Sequence, residues 1–497
     1  MIKSALLINV FAILDVGIRL ITQIVLAKKF GANIEMDAFL AASSFPILMT
    51  MVFYGAFNVT FIPVFIEYKN KGNSSEAWAI ASIIINIAFI FFGIIALIGI
   101  IKSSLLLSCI APGLSMEVHS LASKLIKILF VSMLFNGISG LFLSVHLAHS
   151  RFTLAAILPF VNSLFVFAVV FLFKDNLGIY ALVYGILGGA ILRAIILMPI
   201  FKDNYYLSFN YKHQGVVQVG KLMFPLLLGA MFYKSDMVVD RFIASYLPQG
   251  SISYLGYSYK ITLLTVAMLG QGFTRTILPA LSEKVVNEDW VQVKNIFFKV
   301  LMYTLYFTIP TIVGLIVLRI PIIQLLFEGN SFTHEVTVIT ANTLFFYTGA
   351  IIALTVGGIF TSFFYARKDI KTVFLLSFTC MTLNIVFSVV FAHYFNHYGI
   401  AMGTSAATCI TIILYYRIIM KNFRYSMKGL FSRVSKLIVA SLVMGIVIKY
   451  ILLSFYSINV FVMILLICVG IVSYFIITLV LRVKETQEIK EKIIDFF

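Results

Sequence analysis

Charge is scarce in this chain. Asp, Glu, Lys and Arg together make up 11% of its 497 residues, against 61% hydrophobic, and mean hydropathy is +1.04. A soluble domain is about a quarter charged, and one this apolar would expose large patches that aggregate in water. Soluble classes are therefore excluded, and a polytopic membrane protein is expected. Cysteine is scarcer still, with four in the chain. Cys109, Cys380, Cys409 and Cys468 lie in or beside apolar segments without metal-ligand spacing, so neither a disulfide framework nor a metal centre is implied. A glycine loop of phosphate-binding spacing is missing, so ATP is not implied. The connections are too short to hold a soluble domain. Clustered carboxylates are missing from the expected external loops, whose only clustered candidates, His393 and His397, read as surface residues. An enzyme is not expected, and neither is a resident cofactor.

What the chain has is apolar runs. A membrane-crossing helix needs about 20 such residues. Fourteen spans are expected, at 5–27, 37–66, 77–101, 118–147, 152–173, 178–201, 216–247, 251–283, 290–318, 334–366, 370–393, 399–420, 433–454 and 458–481. The first lacks a small-residue cleavage site and reads as a span rather than a leader. Ser103–Cys109 and Ile320–Phe327 are too short to cross and read as interfacial turns. Net charge is +17, but the basic residues sit in short loops, so a membrane rather than nucleic acid is the partner. The loops after even-numbered spans carry Lys69, Lys71, Arg151, Lys202, Lys212, Lys284, Arg367, Lys368, Lys421 and Arg433. Those after odd-numbered spans carry Lys28, Lys29, Lys102, Lys174 and Arg319. That bias places both termini in the cytoplasm.

The chain also repeats itself. Pro63 and Pro279 are 216 positions apart, as are Glu67 and Glu283, Arg151 and Arg367, and Gly113 and Gly329. The period covers six spans. An even period makes two parallel halves related by an axis along the membrane normal, which enclose a central cavity and alternate its access by rocking. The expected divisions are a lobe at 1–201, a second lobe at 216–420, a two-helix addition at 433–481 and a cytoplasmic tail at 482–497.

Charges inside the apolar runs fall at corresponding places in the two halves. Asp15 and Arg19 lie in the first span, Asp37 opens the second, Lys234, Asp236, Asp240 and Arg241 lie in the seventh, and Lys260 lies in the eighth. A charge in hydrocarbon is costly and normally faces a bundle interior or a water-filled cavity. Asp15 and Arg19 are spaced i, i+4, acid first, which suits an intrahelical pair; they read equally as a neutralised tie or as cavity lining. Asp236 and Asp240 share a face at the same spacing and are candidates for ion coupling, as is Asp15. Lys260 has no acidic neighbour one turn away, which favours a cavity-facing role. Arg275, Lys124 and Lys127 read as snorkelling to the interface. A basic cavity of low dielectric attracts anions, phosphate or pyrophosphate above all. Pro46 and Gly55 in the second span, and Gly270 and Gly272 in the eighth, mark expected hinges, since helices broken at corresponding places in two halves point to one.

These residues carry a family pattern. Phe30-Gly-Ala32, Asp37-Ala-Phe39, Pro46, Gly55-Ala-Phe57, Phe61-Ile-Pro-Val-Phe65 and Ala111-Pro-Gly113 resemble the N-terminal signature of the MurJ/MviN family. Asp240-Arg241, Ala244-Ser245, Gly250-Ser-Ile-Ser253, Ile277-Leu-Pro-Ala-Leu-Ser282 and Tyr365-Ala-Arg-Lys-Asp-Ile-Lys371 continue it in order. The resemblance implies the fold of the multidrug/oligosaccharidyl-lipid/polysaccharide exporter superfamily. It also implies a flippase for undecaprenyl-pyrophosphate-linked sugars, with peptidoglycan lipid II as the usual cargo, in the bacterial cytoplasmic membrane. Arg19, Asp37, Lys234, Arg241 and Lys260 would then bind the headgroup, with Asp37 and Lys260 at the family's aspartate and arginine positions. Thr22 and Thr50 stand where the family has arginines. The last two spans would hold the prenyl tail. A monomer is expected, and as a flippase it would be driven by membrane potential or a coupling ion. Two other readings are a flippase for an O-antigen or exopolysaccharide unit and a cation-coupled drug exporter of the same superfamily.

Overall fold

The computed structural model describes residues 2–72, 74–202, 205–234, 236–423 and 427–494, with the backbone alone at 2–9, 228, 232–234, 422–423, 427–430 and 492–494. Among the described residues the regular structure is all helical. α1 (Ile2–Phe30), α2 (Ile34–Asn70), α3 (Ser74–Ile101), the short α4 (Ser103–Ile110), α5 (Met116–Ala148), α6 (Phe152–Leu177) and α7 (Tyr180–Leu197) come first. After a polar connection come α8 (Gln214–Lys234) and α9 (Asp236–Ala244), which together make up the seventh expected span. Then follow α10 (Ser251–Val286), α11 (Trp290–Phe327), α12 (His334–Ala366), α13 (Ile370–Phe423), α14 (Met427–Leu452), α15 (Val460–Val480) and α16 (Lys484–Ile494).

Thirteen helical stretches among the described residues are long and apolar enough to cross a membrane. One of them, α13, has 54 residues. A straight helix of that length would reach roughly 80 Å, more than twice the ~30 Å hydrocarbon core. Asn396 breaks it, at φ 51° and ψ −136°. Its two arms cover the adjacent spans expected at 370–393 and 399–420. One expectation fails: 320–327 is not a separate interfacial turn. α11 continues through Pro321 to Phe327, because a proline removes one N–H yet neighbouring groups keep a membrane helix intact.

The helices begin where the sequence supplies caps. Asn33 accepts hydrogen bonds from the backbone N–H of Glu35 and Met36, at 3.1 and 3.3 Å. Ser115 caps Val118 at the start of α5, and Thr333 caps Val336 at the start of α12. A glutamate, Glu117 or Glu335, sits in the first turn of each, where the positive end of the helix dipole favours it.

The chain packs as two compact units, residues 1–253 with 329–332, and residues 254–328 with 333–497. In the first, Phe57, Phe61, Phe65, Trp78, Leu141 and Val219 form a core that draws on α2, α3, α5 and α8. By packing, therefore, α8 and α9 sit with the first unit, although the repeat counts them as the start of the second lobe. In the second unit, Phe297, Phe360, Phe363 and Tyr415 make one core, and Met302, Leu437, Met444, Leu466 and Tyr474 another. Helices approach closely at small residues, as membrane packing requires. A Cβ on Gly403 would stand 2.6 Å from the Ser388 amide nitrogen.

Candidate functional site

The first unit gathers most of the charges singled out by the sequence. Asp37, in the first turn of α2, is 3% exposed. Its Oδ2 accepts the Gly250 N–H at 2.6 Å; its Oδ1 accepts the Ser253 N–H at 2.8 Å and the Ser253 hydroxyl at 2.5 Å. Those groups frame the start of α10, whose first N–H groups lack intrahelical partners. Asp37 therefore caps α10 from another helix, with its negative charge at the positive end of that helix. Gly250 turns the chain into the cap at φ +90°, a value open to glycine without strain.

Arg241, 6% exposed, reaches the same place. Its Nη1 donates to the Ile252 carbonyl at 3.4 Å, and its charge acts on the Asp37 carboxylate. Asp240 beside it is 7% exposed, and its Oδ1 has no hydrogen-bond partner among the described residues. Asp236 lies one turn earlier, within electrostatic reach of Asp240. Lys234 is in α8, but its side chain lies outside the described residues.

Two glycine contacts border this node. Gly113 donates its N–H to the Ser245 hydroxyl at 3.0 Å, and a Cβ there would stand 2.6 Å from the Ser245 carbonyl oxygen. Gly31, at φ +62°, lies against residues 329–332; a Cβ would stand 2.0 Å from the Ser331 carbonyl oxygen. The repeat pairs Gly113 with Gly329; the Gly113 loop packs on the end of α9, which carries the buried Asp240 and Arg241, and the 329–332 loop on the end of α1, which carries the buried Asp15. A polar cleft of about 510 Å³ opens beside the node, lined by Asn33, Glu35, Glu117, Ser120, Lys124 and Gln249 among others.

Asp15 and Arg19 form the ion pair their spacing suggests. Arg19 Nε donates to Asp15 Oδ1 at 3.1 Å, and Nη2 contacts Oδ2. Ser163 of α6 also donates to Asp15, at 2.6 Å. The Asp15 side chain is buried, while that of Arg19 is 64% exposed along its length. The pair thus ties α1 to α6 and still presents a cation. Thr22 and Thr50, at the positions where arginines were expected, turn their hydroxyls back to the Ile18 and Pro46 carbonyls, both at 2.8 Å.

Lys260 lies in the second unit, exposed on α10. The expected hinges do not interrupt their helices: α2 runs unbroken through Pro46 and Gly55, and α10 through Gly270 and Gly272. A Cβ on Gly55 or Gly272 would meet nothing within 4 Å, whereas one on Gly270 would touch Thr355 at 3.3 Å. The sequence reading gave Arg193 no role. It donates to Ser139 Oγ and Asn136 Oδ1, both at 2.8 Å, and locks α7 to α5. The signal for it was there: an arginine inside an apolar run needs acceptors.

Comparison with known proteins bears on the fold and the family. The lipid II flippase MurJ family profile matches residues 26–470. The chain is 26% identical over 474 residues to the probable lipid II flippase MurJ of Thermotoga maritima, covering 95% of this chain and 94% of that one. To the probable lipid II flippase MurJ of Vibrio cholerae serotype O1 it is 25% identical over 432 residues, with 84% and 82% covered. A solved structure of lipid II flippase MurJ in an inward closed conformation superposes with a TM-score of 0.83 at 26% identity, over 96% of this chain and 98% of that one. An inward-facing multidrug resistance MATE family transporter shares the fold at 12% identity and a TM-score of 0.72. This is a transporter fold and not an enzyme's, and with a family profile spanning most of the chain, the protein is a multi-pass membrane protein belonging to the lipid II flippase MurJ family.

Proposed function

We propose that this chain moves lipid II from the cytoplasmic to the outer leaflet of the bacterial cytoplasmic membrane by alternating access. The observation that carries the reading is the superposition on a lipid II flippase over 96% of the chain. Arg19 and Lys260 expose their charges and bind the pyrophosphate, with Lys234 as a third cation. Asp37 and Arg241 act differently in this conformation. Both are buried and committed to the start of α10, so they hold that helix until the carrier changes state. Asp240, buried beside Asp236 and Arg241, is the strongest candidate for ion coupling, with Asp15 and Asp236 as the others; membrane potential is the alternative drive. The chain works as a monomer with both termini cytoplasmic, and α14 and α15 take the prenyl tail. Pro46, Gly55, Gly270 and Gly272 bend when the carrier changes state.

One observation favours a second cargo, an O-antigen or exopolysaccharide unit on the same lipid carrier. Thr22 and Thr50 spend their hydroxyls on their own helices and supply no cation. The likeness to drug exporters extends to the fold alone. Complementation tests the choice. Expression should rescue a strain depleted of its lipid II flippase, and failure to rescue with normal membrane levels would overturn the lipid II assignment.

A further inference from the structure

The first unit holds a second cavity, unlike the charged node. It measures about 280 Å³ and lies between α2, α3, α5 and α8, walled by Phe53, Phe57, Phe91, Phe92 and Met223 among others. The rings form a fixed set: the Phe53 centroid is 4.9 Å from that of Phe91 and 5.3 Å from that of Phe92. Glycines on α5 let rings sink against the backbone. A Cβ on Gly137 would stand 2.5 Å from the Phe92 ring, and one on Gly140 would stand 2.6 Å from the Tyr54 ring. Across the cavity Gly220 of α8 is the reverse case, for a Cβ there would meet nothing within 4 Å. Tyr54, Ile87 and Phe91 are exposed at the cavity's edge, so it is open rather than sealed.

Water does not suit this space, since a buried water needs two to four polar partners and the side-chain lining is carbon apart from the Tyr54 hydroxyl and the Met223 sulfur, a weak acceptor. An engineered apolar cavity of roughly 150 Å³ accepts benzene, so this one has room for a longer piece of hydrocarbon. Every lining residue belongs to a helix long and apolar enough to cross a membrane. A hydrocarbon chain of a membrane lipid therefore suits this space.

We propose that this cavity binds a segment of a polyprenyl chain, at a place separate from α14 and α15. The proposal rests on the flippase reading for its ligand class. A saturated acyl chain would gain little by leaving its lipid neighbours for an aromatic cage. An isoprene unit differs: it carries a planar double bond at every repeat, and that flat unit can lie against a ring face. The cage of rings, set on glycines, suits that planar unit.

The test uses the full chain in nanodiscs and two photoreactive probes, a diazirine-bearing polyprenyl phosphate and a diazirine-bearing phosphatidylglycerol, with adducts read by peptide mass spectrometry. The prenyl probe should label segments 84–92 and 216–227, and unlabelled polyprenyl phosphate should abolish the adduct. Gly220→Leu fills the cavity and should cut labelling by at least about tenfold, the loss expected when two or more methylenes lose their burial. Gly93→Leu adds the same bulk to α3 where nothing lies within 4 Å, away from the lining, and should leave labelling unchanged. Equal labelling by the phospholipid probe, an adduct that resists competition in the unmutated chain, or full labelling of a folded Gly220→Leu protein would each overturn the proposal. The probe carries no sugar, so the two readings fail separately. A chain that labels here without moving lipid II loses the function; one that moves lipid II without labelling loses only this site.

Discussion

Asp37 and Ser253 are 216 positions apart, one full repeat, and bind each other directly: the Asp37 carboxylate accepts both the amide and the hydroxyl of Ser253. Equivalent positions of the two halves thus meet at one hydrogen-bonded point, where α2 holds the first turn of α10. A buried carboxylate that accepts three hydrogen bonds is a strong tie, because losing it strands donors away from water.

Asp37→Asn should therefore weaken the hold on α10 by about 1.5–3 kcal/mol. The expected result is faster hydrogen exchange at Gly250–Ser253 while the rest of α2 stays protected. Ser253→Ala, which keeps the amide and loses only the hydroxyl, should do less. Equal protection in all three proteins would show that this contact does not hold the helix.

Gly31 has two reasons to be glycine. Its φ is +62°, and the Ser331 carbonyl oxygen occupies the space a Cβ needs. Gly31→Ala should lower the melting temperature of the purified protein, at a cost of at least about 1–3 kcal/mol from backbone strain alone. Gly72, also at positive φ (+83°) but with nothing within 4 Å, is the control, and Gly72→Ala should cost less. The reverse order would rule out the close approach.

The tail helix α16 carries a pH dependence. Glu488 accepts a hydrogen bond from the Tyr303 hydroxyl at 2.8 Å and pairs with Lys299 at 3.0 Å. The bond from Lys299, then that from Tyr303, hold its carboxyl below the ordinary range. A carboxylate lowered on folding stabilises above its ordinary value and loses that contribution as pH falls through the lowered one. Docking of α16 on α11 should thus be intact near neutrality and loosen below about pH 4. Hydrogen exchange along α16 reads this, and Glu488→Gln should show the loosened behaviour at neutral pH. Exchange that ignores both pH and the substitution would exclude the contact as the anchor.

Much of this was legible from the sequence. Runs of about 20 apolar residues leave a chain no other fold in lipid, so the helices and their order followed. The clustering of Asp236, Asp240 and Arg241 also followed, because charges in hydrocarbon must find company. What Asp37 does with its charge did not. Its partners are chiefly backbone amides, which every residue has, and only the Gly250-Ser-Ile-Ser253 motif hinted at them. The continuation of α11 past Arg319 and Pro321 was hidden for a related reason: a charge and a proline together read as a helix end. The aromatic cavity left no trace, since its phenylalanines look like any others in an apolar helix.

The central claim is that this chain carries lipid II across a bilayer with Lys260 on its pyrophosphate. Purified protein in lipid II-loaded vesicles, with appearance of the headgroup on the far leaflet followed over time, measures it directly. The unmutated chain should move lipid II well above protein-free vesicles, and folded Lys260→Ala should be slower by at least about tenfold, the share of a charge contact worth roughly 1.5–3 kcal/mol. Transport no faster than in empty vesicles would contradict the cargo, and full transport by Lys260→Ala would contradict the clamp.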